Sequence, residues 1–176
     1  MNLYSPHREN GNERTDMVII TDFTKKDVSE FVEFRHKSKK DSEFLNDISE
    51  ERAQDIQKEY SGKGKKAYLL KDGDLVVGQL LMEYNSTSKI VKLSLISVLS
   101  DYRGQGYARQ LLDKVDQYAK QNDAVGVDLY VDKKNNDAIR LYEKSGYKKV
   151  KEHGKDRYLY RKTLSKVVKE SIISRW

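Results

Sequence analysis

Residues 98–108 combine a strand end, two closely spaced glycines and an arginine in a pattern that favours phosphate binding. The apolar stretch 93–98 predicts a strand, and apolar residues at helical spacing follow residues 98–108. The first turn of a helix has unpaired N–H groups and a partial positive charge. Gly104 and Gly106 would let the main chain approach a ligand closely, and Arg103 adds a fixed positive charge. The segment therefore predicts an anion site of the kind that holds phosphate groups.

The spacing within this segment differs from that of the common nucleotide-binding motifs. Residues 103–108 read Arg-x-x-Gly-x-Ala, without the Gly-Lys-Ser/Thr ending of a P-loop or the three spaced glycines of a dinucleotide-binding turn. They resemble the acetyl-coenzyme A pyrophosphate loop of the GNAT family of N-acetyltransferases, Gln/Arg-x-x-Gly-x-Gly/Ala between a strand and a helix. Taken alone, the residues also fit an ordinary strand–turn–helix joint with a glycine at its cap.

A second motif occupies residues 135–147, just after a strand predicted at 127–131. It resembles the GNAT pattern Asn-x-x-Ala-x-x-Leu-Tyr-x-Lys-x-Gly-Phe/Tyr at every specified position. Asn135 is a favourable helix N-cap and Gly146 a favourable residue just past a helix end, so the segment predicts one short helix. Two independent motifs thus occur in the order and at the distance typical of the family, and the resemblance covers residues 17–164.

The resemblance implies an enzyme that moves the acetyl group of acetyl-coenzyme A directly to an amine, with no metal. Main-chain N–H groups of the loop would hold the pyrophosphate, and the strand end would pair with the pantetheine arm like an added strand. The Val98 N–H would stabilise the thioester oxygen as it gains charge. The implied coenzyme-binding residues are Ile96, Ser97, Val98, Arg103, Gly104, Gln105, Gly106, Tyr107, Ala108, Asn135, Ala138 and Tyr142.

The resemblance also implies that Tyr142 is the general acid that protonates the leaving thiolate. The pKa of a tyrosine phenol in model peptides is about 10, so at neutral pH the phenol keeps a proton that it can donate. From its position alone, Tyr142 fits equally well as a core tyrosine beside Leu141 and Ala138.

The general base is the part of the family pattern that this sequence does not supply. Several family members place a glutamate on the strand before the loop, but residues 92–97 contain no carboxylate. Glu83, at the end of the preceding strand, is the candidate base, and an exposed strand-end charge is the alternative interpretation. A water chain held by Ser94, Ser97 or Tyr84 would serve equally well.

The expected acceptor is a primary amine on a small molecule, an antibiotic-like compound, or a peptide or protein. Acidic residues cluster in residues 35–62, which favours a cationic acceptor, although interleaved basic residues weaken that argument. The alternative to an enzyme is a coenzyme A-binding regulatory module with little catalysis. The missing strand carboxylate favours this alternative, and Tyr142 argues against it.

The composition of the chain limits the number of domains, the kinds of site and the kinds of partner that are expected. The chain has 176 residues, a net charge of +6 and no cysteine, which favours one domain and excludes disulfides, thiolate metal sites and a cysteine nucleophile. The positive excess lies in residues 98–176, with 18 basic and 11 acidic side chains, and suits the phosphates of coenzyme A. No nucleic-acid partner is expected, because no RNA-binding or recognition-helix motif occurs.

The ends of the chain differ in character from the part that resembles the family. Residues 1–16 are polar and predict a flexible tail rather than a signal peptide. No apolar run approaches the length of a membrane span, so a cytoplasmic location without membrane contact is expected. Residues 165–176 form a C-terminal extension whose apolar side chains suit packing on the core or on a second copy of the chain. A homodimer is therefore one of the two arrangements that the sequence favours.

Elements in the order β-α-α-β-β-β-α-β-α-β-β are predicted between residues 17 and 164. This is an α/β (mixed α+β) fold resembling the acyl-CoA N-acyltransferase fold of the GNAT family, with a central mixed, mostly antiparallel sheet flanked by helices. The first helix is predicted to end near residue 37 and the second near residue 61. The predicted strands cover residues 18–20, 67–70, 75–84, 89–98, 127–131, 147–152 and 157–163.

Overall fold

A computed structural model describes residues 18–164 of the chain. Its elements are β1 (Ile19–Asp22), α1 (Val28–Asp41), α2 (Glu50–Tyr60), β2 (Lys65–Asp72), β3 (Leu75–Asn85), β4 (Ile90–Val98), α3 (Tyr107–Gln121), β5 (Gly126–Asp132), α4 (Asn136–Lys144), β6 (Lys148–His153) and β7 (Arg157–Thr163). Short 3₁₀ turns precede α1 and follow β4. The element order is the one predicted, whereas the predicted N-terminal tail and C-terminal extension lie outside the described residues.

One mixed sheet carries these elements, with strand order β1-β2-β3-β4-β5-β7-β6. Neighbouring strands are antiparallel except for β4 and β5, which run parallel. The Gln79 side chain of β3 contacts α1. On the neighbouring strand β2, Tyr68 is next to the residue that pairs with Gln79, and its ring contacts Lys114 of α3. Because successive side chains of a strand point to opposite faces, α1 and α3 cover opposite faces of the sheet.

Two local features differ from the prediction. α1 continues to Asp41, beyond the predicted end near residue 37, because its polar side chains lie on a solvated face while Ser38 is packed inward and only 2% exposed. The pair Asp72-Gly73 predicts a hairpin turn between β2 and β3, but the turn is centred on Gly73 and Asp74, since Asp72 still pairs with Leu75. Gly73 has φ +58°, which a side chain would disfavour.

The start of α1 is held by a buried carboxylate. Asp27 Oδ2 accepts hydrogen bonds from the Thr24 N–H and hydroxyl at 2.9 and 2.7 Å, and its Oδ1 accepts one from Lys71 Nζ at 2.8 Å. Burial works to raise the pKa of Asp27, but the hydrogen bonds from Lys71 and Thr24 outweigh it and hold that pKa below its usual range. The charged form is therefore the one that stabilises the fold.

Replacing Asp27 by asparagine should destabilise the domain by about 1–3 kcal/mol at neutral pH, because the Lys71 ammonium loses its charged acceptor. The folded pKa lies below the unfolded one, so this stabilisation is complete above the unfolded value of about 4 and disappears as the pH falls through the folded value. Urea unfolding of both proteins from about pH 7 to about pH 3 should show a difference that shrinks in acid. A difference that stays constant with pH would contradict the ionised role of Asp27.

Candidate active site

β4 and β5 are paired over only part of their length. Ile90–Leu93 pairs with Gly126–Leu129 in parallel register, whereas β4 remains paired with β3 as far as Val98. The two parallel strands therefore separate beyond Leu93. A wedge-shaped gap opens between them, and one of its walls is the main chain of residues 94–98.

A β-bulge at Ser94 marks the point where the strands separate. Leu81 of β3 lies opposite Leu95, but the next residue, Met82, lies opposite Leu93, so Ser94 is an extra residue in β4. A bulge bends the strand that carries it and increases its twist. The second half of β4 therefore leaves β5 while it stays bonded to β3. The sequence pattern predicted one regular strand here and gave no sign of the bulge.

The wall of the gap presents main-chain donors and an acceptor. The Leu99 N–H donates to the Val77 carbonyl at 2.9 Å. Bonded and non-bonded residues alternate along an antiparallel pair, so the main-chain groups of Val98 and Ile96 point away from β3 and into the gap. An extended chain of amides, such as the pantetheine arm of coenzyme A, can pair with such an edge as a further strand.

The turn between β4 and α3 is built around two glycines. Gly104 and Gly106 have φ of +73° and +85°, and a Cβ placed on either would meet no atom of the described chain within 4 Å. Gly106 is the N-cap of α3 and has no side chain with which to cap it. The first N–H that bonds back into the helix is that of Gln110, to the Gly106 carbonyl at 3.1 Å. The N–H groups of residues 107–109 are left for an outside partner.

The charges at this helix end also favour an anion. Helices usually carry acidic residues in the first turn, but the first turn of α3 has none and contains Arg109. Arg109 contacts the Lys144 carbonyl and Asp113 at 3.4 Å each. Arg103 Nε donates to the Val98 carbonyl at 2.9 Å and so ties the loop to the strand end. Open space, free N–H groups and positive charge together fit the pyrophosphate of coenzyme A.

The second motif lies beside the first. β4 and β5 run parallel, so α3 and α4, which follow them, begin at the same edge of the sheet. Asn135 caps α4 as predicted, with its Oδ1 accepting the Ala138 N–H at 3.1 Å. This bond leaves the Asn135 side-chain NH₂ for a ligand but occupies the Ala138 N–H, so Ala138 could contact a coenzyme only through its methyl group.

Tyr142, on α4, is 7% exposed. Its ring meets that of Tyr147 edge-on, with centroids 5.8 Å apart, and no hydrogen bond joins its hydroxyl to the described residues. Burial raises the pKa of Tyr142 to about 12. The phenol therefore keeps its proton over the whole neutral range and has no partner within the described chain to receive it.

Glu83 lies on β3 next to the bulge, where it pairs with Lys92. Its Oε1 accepts the Ser94 hydroxyl at 3.0 Å and lies 3.8 Å from Lys92 Nζ. A cavity of about 370 Å³ adjoins this group where β4 and β5 separate, and a substrate could reach it from solvent. It is lined by Glu83, Lys92, Leu93, Ser94, Tyr130, His153 and Arg157. The candidate base and Ser94 thus lie together, whereas Ser97 and Tyr84 do not line the cavity.

Three of these lining residues are ones that sequence reasoning missed. The sequence predicts a surface position for His153, and this residue is exposed at the end of β6, where its ring lies 4.3 Å from that of Tyr130. Tyr130 and Arg157 join it because β7 folds back beside β5. No sequence pattern marks these three residues, because strand pairing alone brings them together.

The acidic segment 35–62 gives little support to a cationic acceptor. Asp47 is bound by Lys39 and His36 at 2.7 and 2.8 Å, and Glu59 is bound by Lys65 at 2.7 Å. None of the acidic residues of this segment lines the cavity beside Glu83. The charges of Asp47 and Glu59 are therefore met by neighbouring side chains.

Comparison with known proteins identifies the family and the fold. The profile of the acetyltransferase (GNAT) family matches residues 30–147, two thirds of the chain. The chain belongs to the GNAT family. Membership makes it an N-acetyltransferase that uses an acyl-coenzyme A, and it confirms the family predicted from the two motifs. No curated protein sequence matches the chain.

Solved GNAT structures share the whole architecture at low sequence identity. An acetyltransferase of the family from Streptococcus pneumoniae superposes with a TM-score of 0.72 at 20% identity, covering 84% of this chain and 100% of that one. The PaiA N-acetyltransferase of Thermoplasma acidophilum, solved in complex with coenzyme A, gives 0.67 at 17% identity, covering 84% and 99%. The ribosomal-protein-S18-alanine N-acetyltransferase of Escherichia coli gives 0.67 at 18% identity, covering 88% and 98%. These similarities confirm the predicted fold class.

Two further properties of residues 18–164 concern membranes and metals. None of the helices of this GNAT domain is both long and apolar enough to cross a membrane. No three histidine, cysteine, aspartate or glutamate side chains in this part of the chain are grouped so as to hold a metal ion.

Proposed function

We propose that the protein transfers the acetyl group of acetyl-coenzyme A directly to a primary amine. The gap between β4 and β5 carries the proposal. Main-chain groups of Ile96 and Val98 line it, the glycine turn before α3 follows its open end, and the cavity beside Glu83 adjoins the point where the strands separate. These three neighbouring features offer places for a pyrophosphate, an amide-containing arm and an acceptor.

The roles proposed for the coenzyme-binding residues follow from their main-chain geometry. N–H groups of residues 107–109 bind the pyrophosphate, with Gly104 and Gly106 allowing close approach. Ile96 pairs with the pantetheine amides. The bound thioester supplies an activated acyl carbon, whose carbonyl oxygen gains charge as the C–N bond forms. The Val98 N–H donates to that oxygen and stabilises the charge.

Two protons must move during the transfer. Tyr142 donates its phenolic proton to the sulfur as the C–S bond breaks. Glu83 is proposed to accept the proton of the attacking ammonium, directly or through water, because its carboxylate lines the cavity and is held by the Ser94 hydroxyl. The Ser94–Glu83 contact joins two features that the sequence offered as alternatives for the base.

Titration calorimetry with acetyl-coenzyme A, followed by a thiol-release assay, tests this function. We expect micromolar binding and, with an active acceptor, one thiol released for each amide formed. The acceptor panel should contain small amines, antibiotic-like amines and peptides with free N-termini. Binding without turnover on any acceptor would favour the coenzyme A-binding regulatory module, and absence of binding would overturn the proposed function.

A further inference from the structure

A buried arginine on α1 has only neutral hydrogen-bond partners. Arg35 is 7% exposed. Its Nε and Nη2 donate to the Asn46 carbonyl at 3.3 and 2.8 Å, and its Nη1 donates to Gln79 Oε1 at 3.3 Å. The carboxylate of Asp47 contributes only at longer range, since it is bound by other side chains. Burying a guanidinium without a directly bound carboxylate is costly, so its position calls for an explanation other than core packing.

Arg35 fixes the direction of the hydrogen bonds that follow it. A guanidinium can only donate, so Gln79 must turn its carbonyl oxygen toward Arg35 and its NH₂ group away. That NH₂ group donates to Ser97 Oγ at 2.8 Å. Gln79 is fully buried, with 0% exposure, so water does not offer its amide another arrangement. The Ser97 oxygen therefore accepts, and its own proton points to some other acceptor.

Ser97 is placed where a directed proton would matter. It precedes Val98 on the half of β4 that has left β5, it is partly exposed, and its hydroxyl donates to no described residue. The hydrogen bonds from Arg35 through Gln79 polarise one another and strengthen the Ser97 O–H as a donor. The Ser97 hydroxyl lies on the face of the sheet that α1 covers, and the Val98 N–H points into the gap, so the two donors lie on consecutive residues of β4.

We propose that Arg35 and Gln79 are positioning residues for acyl transfer, which act by holding the Ser97 hydroxyl as a hydrogen-bond donor beside the Val98 N–H. The proposal rests on the proposed function, because it concerns the site where the thioester carbonyl would lie. A donor that strengthens as charge develops lowers the barrier without tightening coenzyme binding. The relay therefore contributes to kcat and not to the affinity for acetyl-coenzyme A.

The substitution Gln79→Glu tests the direction of the relay with little change in shape. A carboxylate at this position still accepts from Arg35, but it also accepts the Ser97 proton and withdraws that proton from the gap. We expect kcat to fall about 10-fold in Gln79→Glu and in Ser97→Ala, with the Kd of coenzyme A changed less than about 2-fold. The double variant should be no slower than Ser97→Ala, since both changes remove one interaction.

The rates are measured by thiol release, with the best acceptor and with water alone as acceptor, so that the readout does not depend on one amine. Ser38→Ala, at a buried serine of α1 that makes no hydrogen bond to Arg35, Gln79 or Ser97, is the matched control and should keep the wild-type kcat. An unchanged kcat in Ser97→Ala, or losses that multiply in the double variant, would overturn the relay alone. A wild-type protein that neither binds acetyl-coenzyme A nor releases thiol would overturn the relay and the proposed function together.

Discussion

Replacing Gly106 by glutamate should raise the Kd for acetyl-coenzyme A by more than about 100-fold. Gly106 is the N-cap of α3, and the space next to its Cα is open. The new carboxylate would lie at the helix N-terminus, where it would satisfy the free N–H groups itself and repel an incoming phosphate. The φ of +85° adds a conformational cost of about 1–2 kcal/mol for a residue with a side chain. Titration calorimetry measures the loss directly.

Gly154→Glu is the matched control for this experiment. Gly154 lies between β6 and β7 and has φ +62°, and a Cβ placed on it would likewise meet no atom of the described chain within 4 Å. The substitution therefore introduces the same charge and a similar backbone cost away from the α3 N-terminus. We expect it to retain wild-type affinity. An equal loss in both variants would attribute the effect to charge or stability, and full affinity in Gly106→Glu would exclude this helix end as the phosphate site.

Local sequence signals were sufficient to predict the parts of the site that lie within one turn or helix. The glycines at 104 and 106 mark positive φ angles, and Asn135 and Gly146 mark the two ends of α4. In each case the residue type reports its own backbone conformation or its own cap. The order of strands and helices followed from their different periods, and the fold class followed from the resemblance of the two motifs to the GNAT family.

Features that depend on contacts between distant segments could not be predicted in this way. The bulge at Ser94 exists only in relation to the register of β3, and the strand pattern is the same with or without it. The relay joins Arg35, Gln79 and Ser97, which lie on three different elements. Each of these residues fits an exposed or half-buried polar position when considered alone. Their significance appears only when the sheet is assembled.

Replacing Tyr142 by phenylalanine should lower kcat by about 100-fold while the Kd for acetyl-coenzyme A stays within about 2-fold. The substitution removes one hydroxyl that has no hydrogen-bond partner in the described chain, so the packing of the ring is kept. Burial raises the pKa of Tyr142 to about 12, which makes the phenol a weak acid in the resting enzyme. A thiolate formed in the same poorly solvated surroundings is also a stronger base than in water, and this favours the transfer. Thiol release at saturating acceptor measures kcat.

Tyr147→Phe provides the comparison that isolates the hydroxyl of Tyr142. Tyr147 is 2% exposed, its hydroxyl also lacks a partner in the described residues, and its ring packs edge-on against that of Tyr142. Each substitution removes one hydroxyl from a buried tyrosine, so the catalytic role should separate them, and Tyr147→Phe should keep the wild-type kcat. Since a pKa of about 12 keeps Tyr142 protonated as the pH rises, kcat should also show no alkaline decline from this group below about pH 10. Equal rates for the two variants would mean that Tyr142 only supports the packing of α4, and the proton for the thiolate would then come from water.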